Sequence, residues 1–233
     1  MRLDKLLSEL KIGSRSLVKE EIRKGNVTVN GQIEKDPGRK TDENNDVICV
    51  RGERVYYRRF YYYMLNKPGG VVSATSDLRD RTVLDLLASC DRRDDLFPVG
   101  RLDKDTEGLL LLTNDGELAH RLLAPKRHVD KAYFVRMAHS LSVEEAMLLE
   151  NGVDIGEEKL TLPGKVERVS ELEIILTIHE GKYHQVKRML SAVGNEVMFL
   201  KRLTFGGLVL DEKLVPGAYR ELTEAEVKVL HEA

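Results

Sequence analysis

The sequence predicts an α+β chain in two parts, a small unit followed by a larger one, and three observations carry that class. Helical and strand periodicities are mixed along the 233 residues without the strict βαβ repeat of a doubly wound fold. Asn30-Gly31 stands between two short β-branched runs, the strongest local hairpin signal. Leu109, Leu110, Leu111 and Leu112 form a fully apolar run closed by Asn114-Asp115-Gly116, as a buried strand and its turn require.

The elements follow in order. Leu3, Leu6, Leu7 and Leu10 recur at helical spacing, and a second helix from Ser14 places Leu17, Val18 and Ile22 on one face. Arg15, Lys19 and Arg23 fall together on another. Ser14 or Ser16 serves as N-cap and Gly25-Asn26 as the stop. The hairpin over 27–33, a polar stretch at 41–46 and a strand at 47–50 complete the first unit, with a boundary near residue 58: domains 1–58 and 59–233. Beyond it, 61–65 reads as a strand, Asn66-Lys67-Pro68-Gly69-Gly70 as a turn and 71–74 as its return strand. Helices are expected over 82–88, 118–123, 143–151, 185–193 and 224–230, and strands over 108–113, 132–137, 171–179 and 196–203. Ser142 and Glu145 have capping-box spacing, and Leu172, Ile174, Leu176 and Ile178 alternate as in a strand with one buried face.

Composition excludes several classes. Hydrophobic residues make up 42% and charged residues 33%, with a mean hydropathy of -0.33, as suits a core-forming water-soluble chain. The cysteines are Cys49 and Cys90, with no metal-ligand spacing, so neither disulfides nor zinc is expected and a reducing cytoplasm fits. No leader or long apolar run indicates export or a membrane. Lys and Arg number 37 against 39 Asp and Glu, a net charge of -2 that taken whole argues against a general polyanion binder. The first 40 residues nevertheless carry +4 and the rest -6. Two further basic stretches stand out: Arg121, Lys126, Arg127, Lys131 and Arg136, then Lys182, Lys187, Arg188, Lys201 and Arg202. His120, His128, His179 and His184 are scattered rather than spaced as ligands, and each reads as a structural histidine.

Gly100-Arg101-Leu102-Asp103-Lys104-Asp105-Thr106-Glu107-Gly108 is a polar loop just before the buried strand. A calcium loop fails, because its twelfth position is Asn114 and no helix enters after Pro98. A turn-capping carboxylate paired with Arg101 and a catalytic carboxylate both remain.

Two resemblances bear on that choice. Arg2-Leu3-Asp4-Lys5-Leu6-Leu7, Ser14-Arg15-Ser16 and 22–31 resemble the S4 RNA-binding domain, implying an RNA face of Arg2, Arg15, Lys19, Arg23 and Lys24. Gly100-Arg101-Leu102-Asp103 and its continuation to Gly116 resemble the pseudouridine synthases, in the branch typified by ribosomal small subunit pseudouridine synthase A. Met64 to Gly70, Lys131-Ala132-Tyr133 and Glu180 to Met189 match as well. This implies a catalytic domain with a mixed, largely antiparallel sheet flanked by helices. The reaction breaks the N-glycosidic bond of a uridine, turns the base and rejoins it through carbon, with no cofactor or metal.

By that resemblance Asp103 is the essential carboxylate; attack on sugar or base and abstraction of a sugar proton all stay open. Lys187 takes the ion-pair role, with Arg188 as runner-up, since helix neighbours point about 100° apart and one alone can face Asp103. Tyr133 stacks on the base, Phe205 lies against the pocket, and Arg101 either supports the loop or contacts phosphate. The implied substrate is a uridine of 16S, small-subunit ribosomal RNA, handled by a monomer. Tyr183-His184-Gln185-Val186-Lys187-Arg188 favours it over the large subunit, whose enzymes carry an Asn-Arg-Glu style. A non-catalytic ribosome-assembly factor is the rival from another class.

Overall fold

The computed structural model describes residues 1–43 and 45–233; Asn44, in the polar stretch 41–46, lies outside the described residues. The chain forms two compact units, Met1–Arg59 and Phe60–Ala233.

In the first unit, α1 (Leu3–Glu9) and α2 (Arg15–Arg23) precede four strands: β1 (Val27–Val29), β2 (Gln32–Ile33), β3 (Ile48–Val50) and β4 (Glu53–Val55). The strands pair antiparallel in the order β2-β1-β3-β4. Ser14 caps α2 by accepting from the Leu17 N–H at 3.4 Å. Asn30 and Gly31 both hold positive φ, 54° and 80°, the geometry of a type I′ turn. Leu3, Leu6, Leu7, Val18, Ile22, Val27, Val29 and Ile48 pack into one core. Leu17, expected with Val18 and Ile22, is 57% exposed: it sits on the first turn, beside the apolar stripe rather than in it.

The second unit contains β5 (Tyr62–Lys67), β6 (Phe97–Pro98), β7 (Glu107–Thr113), α3 (Gly116–Leu123), β8 (Lys131–Met137), α4 (Val143–Asn151), β9 (Lys165–Arg168), β10 (Glu173–Ile178), α5 (Gln185–Ala192), β11 (Val197–Arg202), β12 (Thr204–Phe205), β13 (Leu208–Val209), β14 (Tyr219–Glu221) and α6 (Glu224–Glu232). The main sheet runs β14-β5-β7-β11-β8-β10-β9, with β6 also on β7. Only β7 and β11 pair parallel, so the sheet is mixed and largely antiparallel.

β7 explains its own sequence. Leu110 and Leu112 enter the core beneath α4 and α5, with Leu149, Val186, Met189 and Leu190. Leu109 and Leu111 enter the opposite core, with Leu118, Leu122 and Leu230 of α3 and α6. Both faces are covered, which is why the run is continuously apolar rather than alternating. β5 occupies one edge of β7 throughout. The other edge is divided, Glu107 and Gly108 pairing with Lys201 and Arg202 while Leu112 and Thr113 pair with Pro98 and Phe97. The loop from β6 back into β7 carries Arg101, Asp103 and Asp105 at that division.

Two expected elements differ. Residues 71–74 make a single bridge, Val72 to Thr82, rather than a return strand, because β14 and β7 already fill both edges of β5. The expected helix at 82–88 is a short 3-10 turn, Val83–Leu86, closed by a Thr82/Asp85 capping box.

Gly108 is required where the sheet divides. Its φ is +100°, and a Cβ there would lie 2.2 Å from the Arg202 carbonyl oxygen and 2.7 Å from its nitrogen. Gly108→Ala should therefore cost at least ~2 kcal/mol in urea unfolding. An unchanged midpoint and slope would contradict this account of the β7–β11 pairing.

Candidate active site

The aspartate loop is built on a buried cation. Lys67, at the end of β5, is 0% exposed. Its ammonium donates to the carbonyls of Thr106 at 2.8 Å, Asp103 at 3.0 Å, Pro68 at 3.1 Å and Lys104 at 3.3 Å. Burial pushes it down to about 8, with Asp105, Glu107 and Asp103 opposing. Ser73 adds a second tie: its hydroxyl donates to the Leu102 carbonyl at 2.9 Å and accepts from the Leu102 N–H at 3.1 Å. The segment expected as a return strand thus buttresses the loop, and Gly70 N–H joins it through the Lys104 carbonyl at 2.7 Å.

So anchored, the Asp103 side chain enters a cleft lined by Arg101, Lys131, Tyr133, His184, Lys187 and Phe205, among others. Lys187, on the first turn of α5, stands 3.1 Å from Asp103 Oδ2 and 2.6 and 2.9 Å from the two oxygens of Asp105. The structure brings together Asp103, Lys187 and Tyr133, and adds Asp105 as Lys187's closer partner. The Lys187 hydrogen bond holds Asp105 below the usual carboxylate range against its partial burial. Burial works against the Lys187 charge, but the bonds from Asp105 and Asp103 outweigh it and raise its pKa.

His184 was expected to be structural, yet its Nε2 lies 3.4 Å from Asp103 Oδ1. Asp103 therefore has a nitrogen group beside each oxygen. His184 precedes α5 with φ +49° and stacks on Tyr183, with ring centroids 3.8 Å apart at 18°. A signal for it existed in the sequence: it stands three residues before Lys187, one helical turn away on the same side.

Arg188 does not reach the cleft. Its guanidinium donates to Glu157 at 2.8 Å, to the Tyr183 carbonyl at 3.0 Å and to the Ile155 carbonyl. The turn of the helix that brings Lys187 inward carries its neighbour out. Tyr133, on β8, is 8% exposed and forms part of the cleft wall. Phe205 is fully buried, 4.9 Å beneath the Arg202 guanidinium carbon and 5.7 Å from Lys131 Nζ. Arg101 is exposed at the cleft and has no ion pair among the described residues.

The basic stretches divide. Lys131 and Arg202 are buried, donating to the carbonyls of Val129 at 2.6 Å and Leu109 at 2.8 Å, so neither forms a surface track. Lys126 and Arg127 are exposed. In the first unit, Arg2 binds both oxygens of Asp4 at 3.0 Å, Lys19 reaches the same carboxylate at 3.9 Å and Lys24 pairs with Glu20 at 2.6 Å. Arg15 and Arg23 are exposed, without an ion pair among the described residues. No group of three or more metal-ligating side chains occurs among the described residues, and no helix is long and apolar enough to cross a membrane.

Comparison with known proteins decides the family. Residues 61–192 match the family described as RNA pseudouridylate synthase, and residues 1–47 match the S4 domain. The chain belongs to the RNA pseudouridylate synthase family. An uncharacterized RNA pseudouridine synthase of Bacillus subtilis is 52% identical over 100% of this chain and 99% of its own length. Proteins named ribosomal small subunit pseudouridine synthase A from Vibrio cholerae and Escherichia coli K12 are 43% and 41% identical over 97% of this chain and 98% of theirs. A crystal structure of a pseudouridylate synthase is 38% identical, covers 99% of both chains and superposes with a TM-score of 0.71. The protein is an RNA pseudouridine synthase with an N-terminal S4 domain.

In this pseudouridine synthase, Lys67 holds the loop as an ammonium: its charge and three protons serve the surrounding carbonyls, whereas a neutral amine has two protons and turns a lone pair toward the oxygens. The clamp is present below a pH of about 8 and is lost as pH rises through it, and activity should fall with it. Lys67→Met should lower turnover about 100-fold through misplacement of the loop. Full turnover by that variant, measured by tritium release from RNA labelled at uracil carbon five, would contradict the clamp.

Proposed function

We propose that this enzyme isomerises a uridine of 16S, small-subunit ribosomal RNA, with Asp103 as its essential carboxylate, Lys187 as the cation paired with it, and Tyr133 as the ring against which the uracil packs. The observation that carries the reading is the 3.1 Å contact between Lys187 and Asp103 in the cleft walled by Tyr133 and Phe205. A negative charge brought beside RNA phosphates needs a counter-charge, and Lys187 supplies it to Asp103. Asp105, 73% exposed, holds Lys187 from the solvent side. A base turned out of its stack needs a flat apolar face, and the Tyr133 ring in the cleft wall is offered for that role.

The small-subunit assignment rests on the relatives from Vibrio cholerae and Escherichia coli, which match over nearly the full length and bear that substrate in their names. The Tyr183 to Arg188 segment favours the same branch. On this reading the enzyme works as a monomer in the cytoplasm, and its S4 domain offers Arg15 and Arg23 to phosphates. Arg2, Lys19 and Lys24 must first exchange an acidic neighbour for RNA.

Asp103→Asn should abolish pseudouridine formation on small-subunit ribosomal RNA while its unfolding midpoint stays that of the unaltered protein. Undiminished product would remove Asp103 from the mechanism. Arg15→Ala with Arg23→Ala should weaken RNA binding and reduce the slope of log affinity against log salt by about 1 to 2. An unchanged slope would exclude this face from phosphate contact.

A further inference from the structure

The Tyr183–His184 stack has no part in the chemistry assigned to Asp103, Lys187 and Tyr133, yet it stands at the same cleft. Tyr183 is 73% exposed, although one face of its ring is covered by the His184 imidazole at 3.8 Å. The other face is open. His184 lines the cleft and touches Asp103, so Tyr183 lies one ring-thickness outward from the residue beside the carboxylate.

The short segment that bears the pair is held from several sides. The Tyr183 carbonyl accepts from Arg188, which is itself fixed on Glu157 and Ile155. The Lys182 N–H donates to Gln185 Oε1 at 2.9 Å, the Gln185 amide donates to Glu180 at 2.9 Å, and Glu180 accepts from the Leu162 N–H at 2.8 Å. An exposed tyrosine on so constrained a backbone is pre-organised: a second ring can lie on it at little further cost in ordering. Aromatic faces of this kind bind unpaired bases whatever their sequence.

We propose that the open face of Tyr183 stacks an unpaired base flanking the target uridine in the same RNA. Turning the uridine out removes a stacking partner from its neighbour, and Tyr183 replaces it, extending the His184–Tyr183 stack by one base. Arg188 is then a positioning residue that acts through the Tyr183 carbonyl. The inference rests on the reading that RNA presents its uridine to the Asp103 cleft, and it adds a requirement on the RNA: the nucleotide beside the target must be free to leave its own pairing.

The test uses the full chain with small-subunit and large-subunit ribosomal RNA transcripts, tritiated at uracil carbon five. Tyr183→Ala should raise KM about tenfold, within the range of base–aromatic stacking, with a smaller change in kcat. Tyr183→Phe, which keeps the ring, should stay within about twofold of the unaltered protein. The chain has no tryptophan, so Tyr183→Trp introduces a single indole, excitable apart from the remaining tyrosines, whose emission should be quenched as RNA saturates the protein. An unchanged KM in Tyr183→Ala, or Tyr183→Trp emission indifferent to both saturating RNAs, would overturn the proposal. Which transcript the unaltered protein converts tests the small-subunit reading separately. The fluorescence arm reads binding alone and decides the stack irrespective of turnover.

Discussion

The site depends on one buried ammonium. Taking Lys67 out of water costs several kcal/mol, which the carbonyls of Pro68, Asp103, Lys104 and Thr106 and the nearby carboxylates of Asp105, Glu107 and Asp103 offset. The same bonds fix the backbone of the aspartate loop against the end of β5. Because β5 is hydrogen-bonded along β7 from Tyr62 to Lys67, the loop inherits the rigidity of the sheet's centre. A carboxylate on a free loop would be hydrated and mobile; here it is a fixed charge at the rim of the core.

From that anchor the electrostatics follow. Asp103 and Asp105 share Lys187, whose ammonium stands between two carboxylates that would otherwise repel one another. His184 stands beside the remaining oxygen of Asp103. Cations are thus used one at a time, at defined carboxylates or carbonyls, rather than as a field. This explains how a chain of net charge -2 belongs to a family of RNA enzymes. Exposed cations without an ion pair among the described residues, Arg15, Arg23, Arg101, Lys126 and Arg127 among them, remain for phosphate contact.

Much of the fold was legible because local signals agreed with the final packing. Asn30-Gly31 adopts the turn its residues demand, Ser142 and Glu145 form the capping box their spacing suggests, and the four leucines of β7 are buried on both faces. Residues 71–74 misled because β propensity does not report whether a sheet edge is vacant. Lys131 and Arg202 read as surface charge because sequence gives charge without depth; both are buried in the wall of the cleft. The opposite directions of Lys187 and Arg188 follow from helix geometry, but which of the two faces Asp103 came from the resemblance. Lys67, by contrast, stood in a visible turn motif with no sign of its role, since carbonyl acceptors leave no mark in a sequence. His184 left a weaker trace, its spacing of three from Lys187, but its contact with Asp103 depends on how the loop after β10 meets the loop before β7.

The central claim, that the anchored Asp103 carboxylate converts a uridine of small-subunit ribosomal RNA, is tested most directly by a map of pseudouridines in ribosomal RNA from cells lacking this protein. Such cells would be complemented with either the unaltered gene or Asp103→Asn. The account predicts one small-subunit pseudouridine that disappears on deletion, returns with the unaltered gene and stays absent with Asp103→Asn. A small-subunit map unchanged by the deletion, or restored by Asp103→Asn, would contradict it.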